Sequence, residues 1–132
     1  LFDVIQSVDS LELAQRLERI CEEEGRARPP VLIQVDLAGE STKSGVPEAD
    51  LSQLVEFLVR CKHLDIRGLM VLPPFFDDPE ATRPYFRRLR ELRDQVLPDG
   101  ELSMGMSHDL EVAIEEGATI VRVGTAIFGS RS

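Results

Sequence analysis

The 132-residue sequence predicts an α/β fold built on a parallel sheet. Three observations predict it. Apolar, β-branched runs of strand length alternate with segments whose apolar residues recur at helical spacing. The helical segments open on cap-forming residues or proline and stop at glycine or proline. The strand runs themselves are apolar, as strands covered by crossover helices must be.

The elements follow in order. Leu1 to Ile5 reads as a short strand, and SVDSLELAQRLERICEEEG after it as a helix. Asp9 or Ser10 offers the N-cap. Leu11, Leu13, Ala14, Leu17, Ile20 and Cys21 form the stripe, and Gly25 is the stop. Val31 to Leu37 is the second strand. The loop AGESTKSGVP leads into a helix over Glu48 to Lys62, with Leu51, Leu54, Val55, Leu58 and Val59 on one face. Pro47 stands near its first turn, where a missing N–H costs nothing. Ile66 to Leu72 is the third strand, ended by Pro73-Pro74, and a helix runs from about Pro79 to Val96. ELSMGM is a short fourth strand, SHDLEVAIEEG a helix stopped by Gly117, TIVRVG a fifth strand, and TAIFGS a last helical turn.

Two architectures use such an alternation: an open, doubly wound sheet, and an arc of a (β/α)8 barrel, which closes at roughly 250 residues. Both gather ligands beyond the carboxyl ends of their strands.

Composition narrows the partners. Asp and Glu outnumber Lys and Arg by 24 to 15, for a net charge of −9. No basic footprint is left for nucleic acid or an anionic membrane, although a small anion responds to local rather than net charge. Cys21 and Cys61 lack the spacing of a metal or redox pair and read as packing thiols. No apolar run approaches the roughly 20 residues of a membrane span and no signal-peptide pattern is present, so a cytoplasmic protein is the expectation.

The strand ends carry the chemistry. Gly105 lets backbone approach closely, Ser107 can cap the following helix, and that helix's first N–H groups can hold an anion. Gly124 and Thr125 repeat the arrangement one strand later, and two such adjacent ends describe a phosphate site. Ordinary capping and loop chemistry explain each alone; the pair favours phosphate. Arg122 lies in the apolar run before Gly124, where an unpaired guanidinium is costly. It either pairs with an interior carboxylate or donates to a ligand. Lys43 reads as solvated, His63 as a surface turn residue, and Asp77 and Asp78 as caps. His108, beside Asp109, is a weak catalytic candidate. RPYFRRLRELR reads as an exposed, snorkelling helix face.

The segment LSMGMSHDLEVAIEEGATIVRVGTAIFGSR closely resembles the C-terminal signature of the YggS/PROSC family of pyridoxal 5′-phosphate (PLP) homeostasis proteins. VLIQVDLAGESTKSGV and IRGLMVLPP resemble that family's internal motifs. The resemblance implies a parallel (β/α) barrel of the alanine racemase N-terminal-domain type, with about five of its eight β/α units in this sequence. It implies a non-catalytic PLP carrier or regulator. Ser107, Thr125 and the Gly124 backbone would fall on the phosphate, and Arg122 on the pyridine nitrogen. Met70, at the carboxyl end of the third strand in Met70-Val71-Leu72-Pro73-Pro74, and Gly105 complete the expected cofactor-binding set. A cation beside the ring nitrogen opposes its protonation and weakens the ring as an electron sink.

The family's Schiff-base lysine lies upstream of the segments matched here, and Lys43 does not occupy its position. The expectation is therefore the C-terminal part of a PLP barrel, apt to self-associate through exposed strand edges. Two other functions fit the alternation less well. An amino-acid racemase relative would need a tyrosine base, and Tyr85 lies in a helix. A phospho-receiver-like signalling domain would need acidic residues where Gln6-Ser7 and Pro73-Pro74 stand.

Overall fold

The computed structural model describes residues 6–25, 29–37, 45–73 and 77–120. Its elements are β1 (Gln6–Val8), α1 (Leu11–Glu24), β2 (Pro30–Asp36), β3 (Val46–Pro47), α2 (Glu48–Arg60), β4 (Asp65–Met70), α3 (Arg83–Val96), β5 (Glu101–Ser103) and α4 (Leu110–Glu115). Single 3-10 turns at Pro79–Thr82 and Ser107–Asp109 lead into α3 and α4.

The strand order decides between the two architectures. The sheet runs β1-β2-β4-β5, all pairs parallel, with the short β3 beside the end of β2. Ser103 then bridges in parallel to Ile120, at the start of the next predicted strand. Apart from the two-residue β3, each strand thus lies beside the one before it in the chain, with no reversal of order. A doubly wound sheet needs a reversal, and the receiver fold places its first strand inside the sheet rather than at its edge. The described strands are an arc of a singly wound barrel, and right-handed crossovers put every helix on one face.

The pleat separates the two faces. Val8, Val31, Ile33, Val35, Leu69, Val71, Leu102 and Met104 join the core beneath the helices. There they meet Ala14 and Cys21 of α1, Leu51, Leu54, Val55 and Leu58 of α2, and Phe86, Leu89 and Leu92 of α3. Their alternates, Ser7, Leu32, Gln34, Gly68, Met70, Glu101 and Ser103, lie on the opposite, barrel-interior face.

β4 keeps this division through a bulge. Val31 pairs with Ile66 but Leu32 with Gly68, so Arg67 is the extra residue. Ile66 and Leu69, three apart, would otherwise face opposite ways; the bulge turns both toward the helices. Gly68 is required there, because a Cβ would collide with the Glu101 backbone.

Local chemistry explains the helices and their departures from expectation. Ser10 caps α1, accepting the Leu13 N–H at 3.1 Å, and Gly25 ends it at φ 64°. The strand expected over Leu1 to Ile5 lies outside the described residues. β1 instead contains Gln6 and Ser7, expected beyond its end, because Val8 returns to the core at 0% exposure. The single helix expected from Pro79 is split. Pro84 has no N–H to give, and its ring would strike the carbonyl of Glu80 in a continuous helix. A 3-10 turn therefore covers Pro79–Thr82, closed by Thr82 Oγ1 donating to the Pro79 carbonyl at 2.7 Å, and α3 starts at Arg83.

The arginine-rich face of α3 is more than solvated surface. Glu116, 5% exposed beyond the end of α4, pairs with Arg83 at 2.7 Å, Arg87 at 3.3 Å and Arg90 at 3.4 Å. Bonds from Arg83 and then Arg87 hold its carboxyl below the ordinary carboxylate range, outweighing burial. Arg88 ties α3 to Glu48 of α2 at 2.7 Å. Glu18 of α1 accepts the Lys62 and His63 N–H groups and binds His63 Nδ1 at 3.0 Å, fastening α1 to the turn before β4. His63 is thus partly buried and engaged rather than simply superficial. Burial opposes ionisation of Glu18, but the His63 and Lys62 bonds prevail and lower its pKa. Cys21 and Cys61 are buried core thiols, not bridged to each other, as the spacing implied.

Two predictions follow from this packing. Gly68→Ala should destabilise the fold by about 3 kcal/mol in denaturant titration, since the overlap is with backbone that cannot rotate away. Glu116→Gln should lose about 1–2 kcal/mol at pH 7, the scale of charge-assisted bonds discounted for half-exposed arginines. Because the native pKa of Glu116 is depressed, wild type gains this stability above the ordinary value of 4.5 and loses it as pH falls through the native pKa. The gap between wild type and variant should therefore close in acid.

Candidate ligand site at the strand ends

Beyond β4 and β5 the interior face presents a small buried floor. Met70 is the last residue of β4, 2% exposed, and Ser103 ends β5 at 3%. The two are register partners, and Gln34 of β2 stands beside Met70 in the same row. Sequence reasoning had found Met70 but missed Ser103. The available signal was its alternation with the core residues Leu102 and Met104.

The backbone then turns. Gly105 is buried at φ 101°, a conformation that an L side chain resists. Ser107 is the first residue of the following 3-10 turn. Its backbone is not at the expected cap position, which is that of Met106; the carboxylate of Asp109 accepts the Met106 N–H at 2.7 Å, and Asp109 N–H donates back to the Met106 carbonyl at 3.1 Å. Asp109, 4% exposed, is thus a second residue the sequence reading missed; its signal was its place two residues after Ser107 at a helix start.

The next strand begins directly beside this turn. Met104 N–H donates to the Ile120 carbonyl at 3.1 Å, and Thr119 and Ile120 N–H both donate to Leu102 O. Thr119 Oγ1 also accepts the Leu102 N–H at 2.8 Å. Ser103 and Gly105 therefore adjoin the start of the segment that carries the remaining candidates. Arg122, Gly124 and Thr125 lie outside the described residues, as does Lys43. Among the described residues, Met70 and Gly105 share one strand-end region with the backbone of Ser107.

The cleft outside that region has different character. A cavity of about 360 Å3 between Pro79–Thr82 and α4 is lined by Asp78, Glu80, His108, Asp109 and Glu111, a set that repels anions. Among the described residues, no three His, Cys, Asp or Glu side chains are placed to hold a metal ion. No described helix is long and apolar enough to cross a membrane.

The family model described as "Alanine racemase, N-terminal domain" matches residues 2–132. The chain belongs to this family. Within it, the chain is 47% identical over 135 residues to the pyridoxal phosphate homeostasis protein of Aquifex aeolicus, covering 97% of the chain and 58% of the relative. PipY of Synechococcus elongatus, solved with PLP bound, superposes with a TM-score of 0.78 at 43% identity, covering 94% of the chain and 59% of PipY. A protein of unknown function from Bifidobacterium adolescentis superposes with a TM-score of 0.84 at 39% identity, covering 97% of the chain and 53% of its own. The chain thus spans little more than half the length of these relatives. The family resemblance drawn from the Gly105-Met106-Ser107 and Arg122-to-Gly129 motifs is borne out, and so is the barrel-type fold it implied.

Substitution of the turn glycine tests the geometry. Gly105→Ala must adopt a backbone conformation that costs about 1–3 kcal/mol. We expect that loss in thermal unfolding, with altered backbone amide shifts confined to the segment from Ser103 to Asp109.

Proposed function

We propose that the chain is the C-terminal part of a PLP-binding barrel that serves PLP homeostasis as a carrier or regulator and catalyses no reaction of its own. The observation that carries this reading is the juxtaposition of the Gly105 turn with the start of the next strand at Ile120. It supports a phosphate site made from two neighbouring strand ends.

The described residues fit such a ligand. The Gly105 turn brings backbone to the strand end without a Cβ, and Asp109 holds the Met106 N–H in the same turn. Buried Met70 and Ser103 offer an apolar surface and a hydroxyl on the interior face, suited to a flat heteroaromatic ring with polar substituents.

In this reading Ser107, Thr125 and the Gly124 backbone hold the phosphate, and Arg122 faces the ring nitrogen. PLP, when bound, supplies a reactive aldehyde on an electron-withdrawing ring. A guanidinium is protonated throughout the working pH range, so Arg122 donates to the ring nitrogen and opposes its protonation. That keeps the ring a poor electron sink and favours carriage over carbanion chemistry. The lysine joined to PLP belongs to the part of the relatives' length that this chain does not span. PLP is the small-molecule partner. We also propose self-association through the β1 edge, which pairs with no further strand among the described residues.

The test uses the full-length protein and the visible absorbance of bound PLP after dialysis. Ser107→Ala and Thr125→Ala should each weaken PLP retention about tenfold, the worth of one hydrogen bond to a charged group. Arg122→Ala should retain PLP but move the ring-nitrogen titration to higher pH. Retention unchanged in the two hydroxyl variants would sink the phosphate assignment. Racemisation of alanine by the full-length protein would overturn the non-catalytic role.

A further inference from the structure

We propose that Asp109 is a positioning residue that fixes the Gly105-Met106-Ser107 turn in the shape the phosphate group requires. This inference rests on the reading of Ser107 as a phosphate ligand. Three observations carry it.

The first is reciprocity. Asp109 Oδ1 accepts the Met106 N–H at 2.7 Å while Asp109 N–H donates to the Met106 carbonyl at 3.1 Å. Both backbone polar groups of Met106 are thereby committed to one residue. The peptide planes on either side of Met106, and so the path into Ser107, are set before any ligand arrives.

The second is burial. A carboxylate 4% exposed persists only where hydrogen bonds replace its lost water. Its Oδ2 lies 3.7 Å from His108 Nε2, an ion-pair separation rather than a hydrogen bond. The bond to Met106 is the short one. A buried negative charge two residues from a phosphate ligand opposes the binding of an anion, so its benefit must be geometric.

The third is the freedom it removes. Gly105, at φ 101°, is the most permissive backbone in the turn. An unfixed Gly-Met-Ser segment would lose conformational entropy on closing around a phosphate. Anchoring Met106 to Asp109 spends that entropy at folding instead, which is preorganisation. The anchor itself is firm, because α4 is held at its far end by Glu116 and the arginines of α3.

The test compares two ligands on the full-length protein: PLP, and pyridoxal, which has the same ring and aldehyde but no phosphate. Wild type should prefer PLP. In Asp109→Ala that preference should fall about tenfold while pyridoxal binds as before, the scale of one charge-assisted bond. Asp109→Asn keeps an acceptor oxygen for Met106 and should keep the preference. An unchanged preference in Asp109→Ala, beside a normal wild type, would overturn the positioning role. So would equal losses for PLP and pyridoxal, which mark general loosening. Hydrogen exchange on the unsubstituted protein gives a reading that needs no variant to fold. The Met106 amide should be protected, and exchange at the rate of an open peptide would overturn the proposal. A wild type that binds pyridoxal as tightly as PLP would overturn the phosphate reading itself, and this proposal with it.

Discussion

Everything in this structure depends on the parallel register of β2, β4 and β5. Laying β1, β2, β4 and β5 side by side in chain order sends every crossover helix to one face and leaves the other to the barrel interior. The helix face is filled by aliphatic residues from every strand. The interior face carries Leu32, Gln34, Met70 and Ser103, a mixture no helix could cover without leaving polar groups unmet. The bulge at Arg67 and the glycine at Gly68 preserve this division where the sequence breaks the period of two.

From the carboxyl edge of that register the chain turns at Gly105, and two electrostatic anchors decide where α4 goes. At its start Asp109 closes on Met106; past its end Glu116 sits among Arg83, Arg87 and Arg90. Each is a nearly buried carboxylate supplied with donors, the condition under which buried charge is tolerated. Between them a helix of six residues, too short to be stable alone, becomes a fixed support for the strand-end turn.

The membership of the chain in the alanine racemase N-terminal domain family agrees with this geometry. The relatives named for pyridoxal phosphate homeostasis match it over nearly its whole length, while the chain spans little more than half of theirs. The Gly105 turn and the start of the next strand at Ile120 lie side by side, and neighbouring strand ends are where a barrel assembles one ligand site from residues far apart in sequence.

Much was legible in the sequence, because it is written in local chemistry. Ser10 and Gly25 bracket α1, Gly117 ends the α4 segment, and apolar runs mark the strands. The motifs around Gly105 and Arg122 identified the family. What the sequence left open depends on contacts between distant residues. Whether the sheet was doubly wound or an arc turns on strand order, which composition does not encode. The arginines of α3 read as solvated until packing brought Glu116 against them. Ser107 had the right residue type for a cap, yet the backbone puts Met106 at the cap position, and the Met106 N–H is taken by Asp109, a residue three positions on. By itself the sequence determined the elements and the chemistry they carry, since capping and periodicity act over a few residues. Only the tertiary structure decided order, pairing and the division of roles, because these follow from long-range burial of both apolar surface and charge.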